Sequence, residues 1–159
     1  MNNIIQWNVN GLMTRIKNGE IQRLINQFLP AAICLQHVNM ETPQLKNYRT
    51  AAQYKNNDNE YRTIILVHDK IAFDVITTPI NSHQVTATKL YMNNKDIFYI
   101  YNLYNQPSQN YNLQYIKKIF NQHQRDLIIV GDLNSRNPIW DEKCTNPNKA
   151  DKAIEKIVN

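Results

Sequence analysis

Residues 127–130 form an unbroken apolar run, Leu-Ile-Ile-Val, that stops at Gly131-Asp132-Leu133-Asn134. Such a run reads as a fully buried strand, and a buried strand has to be covered by other layers. The glycine permits a sharp backbone turn at its end. Asp132 and Asn134 then emerge one residue apart. A carboxylate beside a carboxamide can hold a water, a phosphate oxygen or a hard metal ion. A second segment near the start has the same design: Ile5-Gln6-Trp7-Asn8-Val9-Asn10-Gly11, an apolar strand followed by polar residues and a glycine.

Between these segments the chain alternates helix-like and strand-like stretches. Residues 4–9 read as a strand. Leu12, Ile16, Ile21, Leu24, Ile25 and Phe28 recur roughly at helical spacing, and 21–28 in particular predicts an amphipathic helix ended by Pro30. A short buried strand is expected over 31–36 and a weaker one over 48–54. Four more, over 62–67, 72–77, 85–92 and 97–104, are rich in Ile, Val, Thr and Tyr. Asn93-Asn94-Lys95-Asp96 predicts a hairpin turn between the last two. Residues 111–120 read as a helix with Leu113, Ile116, Lys117 and Phe120 on neighbouring turns, and 150–158 as a final helix. This order predicts one α/β (α+β) domain of layered, mixed sheets over 1–159, with no repeat and no linker.

The 159 residues carry a formal net charge of +5. That balance suits a polyanionic partner, with the basic residues scattered as on a phosphate-tracking surface rather than in a tail. The two cysteines, Cys34 and Cys144, make no disulfide framework and have no zinc-type spacing. An intracellular, reducing setting is expected. No apolar stretch approaches membrane-spanning length, so no membrane partner is expected.

Four stretches, in order, resemble the endonuclease/exonuclease/phosphatase superfamily, nearest to the endonuclease domains of non-LTR retrotransposons of the jockey and R1 type. They are Gln6-Trp7-Asn8-Val9-Asn10-Gly11-Leu12, Ile33-Cys34-Leu35-Gln36, Asn102-Leu103-Tyr104-Asn105-Gln106-Pro107, and Gly131-Asp132-Leu133-Asn134 with Pro138-Ile139-Trp140. The resemblance implies a four-layer α/β/β/α sandwich with the active site at one edge. It implies that Asp132 and Asn134 orient the attacking water and bind phosphate, and that Tyr104 contacts the scissile phosphate. Asn8 and Asn10 fall at the metal and phosphate end, and Asn137 and Trp140 in a loop that shapes the DNA-facing surface. By themselves, Asn8 and Asn10 read first as a strand-ending turn, and Tyr104 as one more strand tyrosine beside Tyr91, Tyr99 and Tyr101. The implied cofactor is Mg²⁺ or Mn²⁺. The implied partners are DNA and the reverse transcriptase domain of a parent polyprotein, with a nuclear location for a working retroelement enzyme.

Two departures bear on activity. The family's main metal-binding glutamate would follow Gln36, where this chain has His37, and a neutral imidazole is a poor ligand for Mg²⁺. The family's C-terminal Asp-His pair does not occur here, so the sandwich is expected to be partial, with its C-terminal strands missing. The resulting expectation is a Mg²⁺-dependent, strand-nicking endonuclease domain whose activity is impaired or lost. The alternatives are a non-enzymatic retroelement remnant with residual nucleic-acid binding, or a phosphatase or phosphodiesterase of the same superfamily.

Overall fold

The computed structural model describes residues 3–41, 43–78, 84–92, 96–106, 113–122, 126–135 and 143–145. The first sheet contains β1 (Ile4–Asn8), β2 (Ala32–Gln36), β3 (Tyr48–Lys55) and β4 (Tyr61–His68), in the order β1-β2-β4-β3. The second contains β5 (Ala72–Ile76), β6 (Gln84–Tyr91), β7 (Ile97–Tyr104) and β8 (Leu127–Asp132), side by side in chain order. Each sheet is mixed. β1 runs parallel to β2, and β7 parallel to β8, while the remaining neighbours are antiparallel. The two parallel pairs are the ones joined through helices, as a parallel crossover requires.

Among the described residues, three apolar clusters define four layers. The first packs helices α1 (Leu12–Lys17) and α2 (Glu20–Phe28) on the first sheet: Leu12, Ile21 and Ile25 meet Ile33, Leu35, Ile64 and Leu66. The second lies between the sheets, where Ala32, Cys34, Ile65 and Val67 meet Leu90 and Ile100. The third packs Ile116 and Ile119 of α3 (Leu113–Gln122) against Val85, Ala87, Tyr101 and Leu103. Strand side chains alternate between faces. In β2, therefore, Ala32 and Cys34 face the other sheet while Ile33 and Leu35 face the helices. This explains why β2 is buried at every position. The layered α+β class expected from the sequence is the one observed.

Three local readings are corrected. The apolar residues from 12 to 28 do not form one helix, because Ile16 and Ile21 are five apart, which is out of phase. Gly19, at φ 68°, breaks the chain into two helices there. On α3, among the described side chains, Ile116 and Ile119 are buried, while Phe120 is 44% exposed. Gly131 does not end its strand: β8 continues through Gly131 to Asp132. The glycine is needed because a Cβ there would sit 2.0 Å from the Leu103 carbonyl oxygen of the neighbouring strand. Residues 93–95 of the turn expected over 93–96, and the final helix expected over 150–158, lie outside the described residues.

Candidate functional site

Strand register gathers the site at one end of the space between the sheets. Asn8 pairs with Gln36 at the ends of β1 and β2, and Tyr104 pairs with Asp132 at the ends of β7 and β8. Alternation places Ile4, Gln6 and Asn8 on one face of β1, and Ile128, Val130 and Asp132 on one face of β8. The inner members of both sets, Ile4, Ile128 and Val130, pack in the inter-sheet cluster. The same face thus turns from apolar to polar along each strand, and the polar ends meet.

The contact between the sheets is direct. Asn8 Nδ2 donates to Asp132 Oδ2 at 2.5 Å. Asp132 Oδ1 accepts the Asn134 backbone N–H at 2.9 Å, and Asn134 Nδ2 donates to the Asn105 carbonyl at 2.7 Å. Asn134 sits at φ 48°, a left-handed conformation that asparagine tolerates. Asn10, at φ 44°, is exposed and contributes its backbone: its N–H donates to Asn8 Oδ1 at 3.2 Å. Asn10 thus fits the turn reading and fixes the Asn8 carboxamide, so that its nitrogen faces Asp132.

His37 follows β2 at φ 53°, and its ring stacks on Tyr104, with centroids 5.5 Å apart and planes 21° from parallel. Burial lowers the His37 pKa from its ordinary 6.5, and the Arg62 charge lowers it further against the opposing pull of Asp132 and Glu60. The imidazole is therefore neutral at neutral pH. Burial raises the Tyr104 pKa, so its phenol stays protonated and able to donate. Asn137 and Trp140 lie outside the described residues.

Several polar groups here escape sequence reasoning. Gln36 and Asn102 are fully buried between the sheets. Gln36 Nε2 donates to Asn102 Oδ1 at 2.5 Å, and its Oε1 accepts from Gln6 Nε2. Asn102 Nδ2 in turn donates to the carbonyls of Leu35 and Ile64, at 3.0 and 3.1 Å. Arg62, only 9% exposed, donates to Asn39 Oδ1 at 3.1 Å and pairs with Glu60. A polar residue on the otherwise apolar face of a buried strand was the available signal for Gln36 and Asn102. For Arg62, at the start of β4, the sequence held no such signal.

The donor set among the described residues is a poor one for Mg²⁺, which keeps several waters and is held through one or two free carboxylates. Asp132 already accepts on both oxygens, Asn8 Oδ1 accepts from Asn10, and the Glu60 carboxylate holds Arg62. Among the described residues, no three His, Cys, Asp or Glu side chains group as a metal site.

Two mixed sheets between helical layers, with polar strand ends meeting at one edge, define the endonuclease/exonuclease/phosphatase class of fold, as the motifs implied. Residues 98–159 match the family model described as Endonuclease-reverse transcriptase, a span that holds Tyr104, Asp132 and Asn134. The solved endonuclease domain of TRAS1, a telomere-specific non-LTR retrotransposon, shares the fold with a TM-score of 0.74. The similarity covers 98% of this chain and 70% of that one at 16% identity. No curated protein matches the sequence significantly. The chain thus has the fold of a retrotransposon endonuclease domain, and its residues 98–159 carry the sequence match to the endonuclease-reverse transcriptase family.

Proposed function

We propose that the domain engages DNA at this edge as a retroelement-type endonuclease module, with weak or no Mg²⁺-dependent nicking, beside a reverse transcriptase in a longer polyprotein. The observation that carries the reading is the convergence of Asn8, Tyr104, Asp132 and Asn134 on one hydrogen-bonded edge. In this reading a phosphate rests against the Tyr104 hydroxyl. Asp132, held by Asn8 and Asn134, orients a water toward the phosphorus and draws its proton. The net charge of +5 favours the polyanion. His37, standing where the resemblance implies a glutamate, leaves the site without that ligand for a charge-neutralising cation. Losing one such preorganised stabiliser typically costs about 10²–10³ in rate.

Nicking of supercoiled plasmid tests the reading, in Mg²⁺ and in EDTA, beside an Asp132→Ala control. The expected result is DNA binding with nicking near background. Strong Mg²⁺-dependent nicking that the control abolishes overturns the impairment. A chain that neither binds nor nicks DNA overturns the DNA reading itself. Binding without any nicking favours a non-enzymatic nucleic-acid-binding remnant, a second reading that rests on His37 and the paired Glu60 carboxylate.

A further inference from the structure

The poor fit to a divalent cation comes with a charge that the protein supplies itself. Arg62 lies directly beside the His37 turn: the Val38 backbone N–H donates to the Arg62 carbonyl at 3.4 Å, and the Asn39 N–H to the Tyr61 carbonyl at 2.8 Å. Its side chain is only 10% exposed, while that of its partner Glu60 is 47% exposed. Solvent therefore screens the carboxylate much more than the guanidinium, and the pair does not cancel within the site. The positive charge of Arg62 acts on both the His37 imidazole and the Tyr104 phenol, the two stacked rings of the site.

The guanidinium is also incompletely used. It has five N–H donors in a planar fork suited to phosphate. Nη1 bonds Asn39 and Nη2 bonds Glu60, while Nε is buried with no partner. A buried donor without a partner is unfavourable, and a ligand that re-seats the fork relieves it. Glu60, near the surface on a single edge of the fork, is the group that a phosphate displaces.

We propose that Arg62 takes the place of a bound divalent cation in this site: it grips a phosphate group by displacing Glu60, and its charge repels Mg²⁺. The DNA part of this rests on the proposed function above; the exclusion of Mg²⁺ does not. Three consequences follow. Phosphate and DNA binding are independent of divalent metal. Neutralising Glu60 frees the fork and tightens that binding. Restoring a carboxylate at position 37 does not recover a metal site while Arg62 remains, because the new carboxylate pairs with the guanidinium.

Calorimetric titration with Mg²⁺ tests the exclusion. Wild type and H37E are expected to show no saturable binding at low millimolar concentration, whereas H37E/R62Q binds at least about tenfold more tightly than H37E. Saturable Mg²⁺ binding by wild type that D132N abolishes, or equal binding by H37E and H37E/R62Q, overturns the proposal. Anisotropy of a short labelled duplex tests the grip. Wild type is expected to bind equally in EDTA and in Mg²⁺ at matched ionic strength, and E60Q more tightly. R62Q should lower the slope of log affinity against log salt by about 0.9, one phosphate contact. An unchanged slope in a folded R62Q, or unchanged affinity in E60Q, overturns the grip while leaving DNA binding intact. If R62Q fails to fold, E60Q decides. If no duplex binds, the DNA reading falls and inorganic phosphate, followed by ³¹P line broadening in wild type against E60Q, tests Arg62 directly. Broadening is then expected to be stronger in E60Q, and equal broadening overturns the proposal.

Discussion

The space between the two sheets is apolar at one end and polar at the other, although the same strands line both. At the apolar end Ile4, Ala32, Val67, Leu90, Ile100 and Ile128 exclude water. At the polar end Gln6, Gln36 and Asn102 bond one another and the backbone, and Asn8 reaches across to Asp132. The apolar end gains from area removed from water, at roughly 25 cal/mol per Å², and tolerates reshaping. The polar end gains little net free energy from each hydrogen bond but loses heavily when one partner is removed. The first end holds the sheets together. The second sets how they meet, and so where Asp132 and Tyr104 stand.

The largest effect that would test this contrast is a cavity at the apolar end. Ile100, fully buried in the inter-sheet cluster, should lose about 2–5 kcal/mol of stability as Ile100→Ala in urea unfolding. At the polar end Asn102→Ala leaves the Leu35 and Ile64 carbonyls and the Gln36 amide short of a partner. The expected loss is smaller, roughly 2 kcal/mol, and comes with impaired DNA binding. A larger loss from Asn102→Ala than from Ile100→Ala would invert the comparison, making the polar end the main clamp.

The smallest effect is a pH dependence confined to the polar end. Burial depresses the His37 pKa below 6.5 in the folded state. Between that lowered value and about 6.5, the unfolded chain binds the proton that the folded chain does not. Stability is therefore full above about 6.5 and falls as the pH drops through that window. His37→Gln should flatten this slope between pH 8 and pH 5 in denaturant titrations. A slope of the same size in His37→Gln would place its origin elsewhere.

Much of this architecture was legible in the sequence, because strand and helix periodicities are local. Runs of Ile, Val, Thr and Tyr located the strands. The apolar-to-polar change at Asn8 and Asp132 marked strand ends, and resemblance placed Tyr104 beside them. The local signal weakened where several phases competed, as at Ile16 and Ile21, or where two hydrophobic residues shared a turn, as with Ile119 and Phe120. Gly131 looked like a turn residue because its real constraint, the Leu103 carbonyl beside it, belongs to another strand.

The sequence by itself determined which residues are apolar, which strands they form, and which strand ends carry carboxamides and a carboxylate. Only the tertiary structure decided that Asn8 bonds Asp132 across 124 positions of chain, that Gln36 and Asn102 join the sheets, and that Arg62 stands buried beside His37. The reason is physical. Periodicity records which face of its own strand a side chain occupies, whereas a hydrogen bond or a buried charge depends on which other strand is packed opposite. That choice is set by pairing and layering of the whole domain.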